Sequence, residues 1–141
     1  MALSIDSIIR KENEYIRYPS QQNEIFANIK KYLSLEDKIY LIFRPTISVF
    51  NVWHMPETLD WCHKNAQQSH NIKTNPTHLT FPKHLSFTIL PPLLKKKIKR
   101  RLTTFNYEYS ESKTYCKYII KIMNGVDDSK YIDKFRHVTK L

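Results

Sequence analysis

Gly125 is the only glycine in 141 residues. That scarcity excludes a phosphate-cradling loop of the Walker or dinucleotide type, which needs close backbone approach at several positions. Cysteine is almost as scarce. Cys62 and Cys116 stand far apart, which fits reduced intracellular thiols better than a disulfide framework, and the pair cannot make a metal site alone. No apolar run approaches the ~20 residues of a membrane span. The opening stretch MALSIDSIIRKENEY has no charged region leading into an apolar core and no small-residue cleavage site, so a secretory signal is not expected and the cytoplasm is. Acidic residues are outnumbered, 13 Asp and Glu against 23 Lys and Arg, for a formal net charge of +10. Such a charge attracts phosphates or acidic partners over several ångströms.

What is abundant is β-branched and aromatic residue density in one place. Ile39, Leu41, Phe43, Ile47, Val49 and Val52 predict a buried strand over 39–52, followed by a helix from Glu57 to about Ala66 with Pro56 at its start. Leu59, Cys62, His63 and Ala66 share one face of that helix. Ahead of it, Ala2 to Asp6 reads as a short strand, Arg10 to Pro19 as a charged connection, and Ser20 as the N-cap of a helix carrying Ile25, Phe26, Ile29, Tyr32 and Leu33. The stretch 34–38 joins this helix to the buried strand. Ser69 to Pro76 is polar and predicts a loop. Thr77 to Leu90 predicts a third strand, interrupted at Pro82, because Leu85, Phe87 and Ile89 alternate with Ser86 and Thr88.

The remainder differs in character. A basic helical run, Leu93 to Leu102, precedes a polar and aromatic stretch, a helix over Lys113 to Asn124 with Gly125 as C-cap, and a last helix from Ser129. That helix carries Tyr131, Ile132, Phe135 and Val138 at helical spacing and runs to Leu141 without a cap or breaker. The expected fold class is therefore α/β, with about three parallel strands over residues 1–92 and a basic linker with C-terminal helices over 93–141. At 141 residues the chain is one domain's worth and short of the ~200 of a complete (β/α) barrel.

Three segments, SIDSIIRKENEYIRYPSQQNEIFANIKKY, RPTISVFNVWHMPETLDWC and THLTFPKHLSFTILP, together with the tail KFRHVTKL, resemble SPASM/twitch-type radical SAM proteins, including short phage-associated members. The resemblance covers nearly the whole chain and implies a partial (β/α) barrel with a helical tail. The family's Cys-x3-Cys-x2-Cys loop, which holds a [4Fe-4S] cluster through thiolates, has no counterpart here. Ser7 also stands where the family usually has glycine after the first strand. The resemblance thus implies the S-adenosylmethionine or substrate side of a truncated or split, peptide-modifying enzyme. It would be inactive alone, with no cluster of its own and S-adenosylmethionine bound only with a cluster-bearing companion chain.

Ser4 and Asp6 fall where the family's fourth-strand motif lines the S-adenosylmethionine or substrate pocket, although a strand-end Asp also caps loops. Arg17 and Arg44 suit a carboxylate through the guanidinium fork, or a local Glu. Asn51 lies just past the strand, where it either lines the same pocket or opens the next turn. His54, His63, His70, His78 and His84 include no pair at the i, i+4 spacing of a zinc motif on a helix, which argues against histidine-held metal. A different class of function rests on the basic run. Lys95, Lys96, Lys97, Lys99, Arg100 and Arg101 would hold phosphates in a non-catalytic module that binds nucleic acid or an acidic protein, or else form a solvated helix face. A fragment of this kind would also leave the Ala2 to Asp6 edge open to self-association.

Overall fold

A computed structural model describes residues 1–35 and 38–140, so Glu36 and Asp37, in the stretch read as joining helix to strand, and Leu141, to which the last helix was expected to run, lie outside it. The chain is mixed α/β. Three stretches of extended chain run parallel. β1 (Ala2–Leu3) pairs with β2 (Leu41–Phe43), which pairs on its other side with β4 (Ile72–Thr74), and β3 (Thr46–Ile47) pairs with β5 (Thr77–His78). Leu41 lies opposite Ile72 and Thr46 opposite Thr77, an offset of 31 residues in both cases. The two pairings are therefore one register, broken where Pro45 and Pro76 have no N–H to give to a ladder. Among the described residues these strands close no barrel.

Two expectations fail here. β4 lies inside the stretch read as a loop, and of the run Thr77 to Leu90 read as a strand only β5, Thr77–His78, is one, the rest carrying 3-10 turns at Lys83–Leu85 and Phe87–Ile89. Ser86 explains the second failure. Its Oγ accepts the Thr88 N–H and the Thr88 hydroxyl, at 3.3 and 2.8 Å, and such local side-chain bonds compete with a ladder. The β4–β5 stretch has a direct check. The N–H groups of Asn75, Thr77 and Leu79 donate to the carbonyls of Phe43, Pro45 and Ile47 at 2.8 to 2.9 Å. Hydrogen exchange is expected to protect these three amides well above those of Thr80 and Phe81, and loop-like exchange at all three would refute the third strand.

The helices are α1 (Arg10–Ile16), α2 (Gln22–Leu33), α3 (Met55–Ala66), α4 (Pro92–Thr104), α5 (Ser110–Gly125) and α6 (Ile132–Thr139). α1 occupies what was read as a connection. Asn13 fixes its start from inside, with Oδ1 accepting the N–H groups of Asp6 and Ser7 at 3.3 and 3.4 Å. Ser20 does not cap α2. Its first N–H, from Gln22, is taken by Glu14 Oε1 at 3.1 Å, which with the Arg10 guanidinium lowers the Glu14 carboxyl below its usual range. Gly125 is the last residue of α5 and has no positive φ, so it is not a left-handed cap. Lys140, at φ 54°, ends α6 instead.

The buried side chains form two cores. One joins Ile47, Met55, Leu59 and Phe87 to Ile98 and Leu102 of α4 and to Cys116, Ile119 and Met123 of α5. The other holds Ile5, Ile29, Leu41, Phe43, Cys62 and Ile72. α3 lies along both. Among the described residues no helix is long and apolar enough to cross a membrane.

Candidate functional site

The C-terminal ends of the three extended stretches meet at one cavity of about 450 Å³, lined by Asp6, Thr46, Ser48 and Leu79 with Tyr15, Ile16 and Arg17 of the α1 end, Phe50, Leu85, and Val138 and Thr139 of α6. Carboxyl ends of parallel strands are where open α/β sheets place ligands, because the loops that leave them diverge.

Asp6 is the polar centre of its floor, 3% exposed. One carboxylate oxygen accepts Arg17 Nε at 2.8 Å and the other accepts the Thr46 N–H at 2.8 Å. Arg17 is carried there by the end of α1, where its own N–H closes on the Asn13 carbonyl at 2.9 Å. Among the described residues the terminal nitrogens of Arg17 have no partner, and its side chain is one-third exposed. A guanidinium held by Nε, with both terminal nitrogens open, presents a fork to a carboxylate or phosphate. The wall beside it is aromatic. Tyr15 meets Phe50 edge to face at 5.1 Å, and Phe50 meets Phe135 of α6 at 5.6 Å.

Asn51 does not line this cavity. It is buried, and its amide clamps the floor from behind. Nδ2 donates to the carbonyls of Asp6 and Thr46 at 2.7 and 2.9 Å, while Oδ1 accepts the Ser48 N–H at 2.8 Å. Ser4 and Arg44 are exposed and are not among the lining residues. The five residues singled out from sequence thus separate into Asp6 and Arg17 at the cavity, Asn51 beneath it, and Ser4 and Arg44 away from it. The aromatic wall went unread, because Tyr15, Phe50 and Phe135 lie on three elements with no common spacing.

No family model, curated protein or solved structure matches this chain. Ser7 Oγ donates to Glu12 at 2.7 Å, and the other Glu12 oxygen contacts Nδ1 of His54. The carboxylate stands between hydroxyl and imidazole, so His54 is not placed to take the Ser7 proton, and the three are not a nucleophilic triad. An iron–sulfur cluster does not fit the donors present. Cys62 and Cys116 sit in different cores, and burial pushes both thiols up, Cys116 to about 12, whereas cluster ligands are thiolates. Among the described residues no group of three or more His, Cys, Asp or Glu is placed to hold a metal ion.

The basic run is sorted by its neighbours. Lys95 is buried and pairs with Asp127 at 3.0 Å, which lowers the Asp127 carboxyl below its usual range. Lys99 donates to Asn124 at 2.8 Å, and Arg101 bonds Glu57. Lys96, Lys97 and Arg100 remain exposed. Half of the run is thus spent on fastening α4, which neither a solvated face nor a uniform phosphate track describes.

Proposed function

We propose that this chain is the ligand-side half of a truncated or split protein resembling the SPASM/twitch-type radical SAM enzymes. On this reading it is a partial (β/α) barrel that holds S-adenosylmethionine or the carboxylate of a peptide substrate and carries out no radical chemistry alone. The observation that carries the reading is Arg17, held through Nε by buried Asp6 at the carboxyl ends of parallel strands, with its terminal nitrogens facing no partner among the described residues. The open fork suits the ligand carboxylate, and the Tyr15–Phe50 wall suits a flat ring. S-adenosylmethionine offers both, and it is the cofactor that supplies the family's radical. Asp6, Arg17, Thr46 and Ser48 would hold it, and the cluster that cleaves it would come from a companion chain. The open edge of β1 is where such a chain, or a second copy of this one, would pair.

The test is calorimetric titration of the full chain with S-adenosylhomocysteine, which keeps the carboxylate and the adenine. Binding is expected, weaker for adenosine, and Arg17→Gln is expected to weaken S-adenosylhomocysteine about tenfold or more, the worth of a charge-assisted hydrogen bond, with the melting temperature checked in parallel. Equal affinity in a folded Arg17→Gln chain, or no heat at millimolar ligand, would overturn the reading.

A further inference from the structure

A second cleft shares no lining residue with the cavity at the strands' carboxyl ends. It is about 300 Å³, lined by Trp53, Lys97, Arg100, Arg101 and Thr104. The four α4 residues recur at i, i+3, i+4 and i+7, so one helix face carries them all. Trp53 comes from the 3-10 turn Val52–His54 just ahead of α3. Arg101 fixes the indole in place. Its Nε donates to the Trp53 carbonyl at 2.8 Å, and its guanidinium lies 5.0 Å from the indole ring centre.

Glu57 already answers the Arg101 charge, but Lys97 and Arg100 have no side-chain hydrogen bond or ion pair among the described residues. Trp53 keeps 41% of its surface exposed, so part of the indole is open to a stacking partner. The part of the chain that supplies α4 is strongly basic. Residues 93–141 hold thirteen of the 23 Lys and Arg and five of the 13 Asp and Glu, a formal +8. Lys113, Lys117 and Lys121, all exposed, repeat every fourth residue along α5.

We propose that this cleft binds single-stranded nucleic acid, with a base stacked on Trp53 and neighbouring phosphates on Lys97 and Arg100. The pairing of a held aromatic face with two uncompensated cations is what single strands use, since every base has a face to stack and every linkage a charge. A duplex turns its bases inward and leaves Trp53 uncovered. An acidic protein would use the cations and not the indole.

The test is fluorescence anisotropy of labelled dT20 against the full chain at several salt concentrations. Binding is expected to weaken with salt. Lys97→Glu with Arg100→Glu should lower affinity about tenfold or more and flatten the log–log salt slope by about 1.4, the share of two phosphates on a single strand. Trp53→Ala should lower affinity about fivefold or more at unchanged slope. A 20-base-pair duplex should bind less tightly, and polyglutamate should compete poorly. Unchanged affinity in folded Trp53→Ala, equal binding of the duplex, or full displacement by polyglutamate would overturn the proposal. If circular dichroism shows Trp53→Ala unfolded, indole emission of the unaltered chain decides in its place, with quenching by dT20 expected and its absence counting against the cleft.

Discussion

Asn51→Ala is expected to destabilise the fold by about 3 kcal/mol or more and to lower the melting temperature by about 10 °C or more. The reason is the number of main-chain groups that depend on one amide. Its Nδ2 serves the carbonyls of Asp6 and Thr46, and its Oδ1 serves the Ser48 N–H. Truncation leaves those three groups inside the protein without partners, at about 1–3 kcal/mol each before relaxation. Asn51→Asp should do no better, because an oxygen then faces two carbonyl oxygens where the amide had donated. Urea unfolding of both variants measures this, and a melting temperature within about 2 °C of the parent in either would sink it. Loss of ligand binding in Asn51→Ala would follow from the fold, since Asn51 sets the spacing of Asp6 and Thr46 without lining the cavity.

Alkaline unfolding is the second large effect. Burial raises four acidic side chains, Tyr115 and Cys116 to about 12 and Cys62 and Tyr107 higher still. The two phenols are also committed as donors, Tyr107 to the Leu102 carbonyl at 2.6 Å and Tyr115 to the Pro76 carbonyl at 3.0 Å, bonds a phenolate cannot make. In the unfolded chain the thiols release their protons near pH 8.5 and the phenols near pH 10, to order of magnitude. The folded chain therefore binds more protons than the unfolded one above those values, and stability falls as pH rises. Their contribution is fully present below about pH 8 and is lost progressively from about 9 to 12, with a slope of up to about 1.4 kcal/mol per pH unit from each cysteine. Urea midpoints measured from pH 6 to 11 should be level at first and then drop, and Cys116→Ala should flatten the fall. Midpoints that stay level to pH 11 would contradict the burial of these groups.

How much of this was legible depends on what each residue had to compete with. The central strand could be read because Leu41, Phe43 and Ile47 are buried on a stretch with few polar interruptions. β4 could not, because it is a sheet edge where only Ile72 is buried and Lys73 faces out, so its pattern resembles a loop. Leu85, Phe87 and Ile89 alternate as a strand would, yet the Ser86 and Thr88 side chains bond locally and turn the chain. Asp6 was singled out by the rule that strand ends carry sites, and Arg17 by the fit of a guanidinium fork to a carboxylate. The lining by Val138 and Thr139 arises from a helix more than ninety residues after Thr46, and no local spacing encodes such a meeting. In the basic run the spacing of Lys97, Arg100, Arg101 and Thr104 was available, but its aromatic partner Trp53 comes from another element.

α3 lends Met55 and Leu59 to one core and Cys62 to the other. It belongs to both along its length, its first turns in one and its later turns in the next. Ile119 and Ile29 each lie in one core only, so their substitutions should combine additively, while Leu59 and Cys62 are helix neighbours at i, i+3 and should not. Divergence of this sequence would then be uneven. Each core can drift in volume and shape by changes answered within itself, but a change on α3 must suit two neighbourhoods at once, and α3 is the part of the chain with the least freedom to vary.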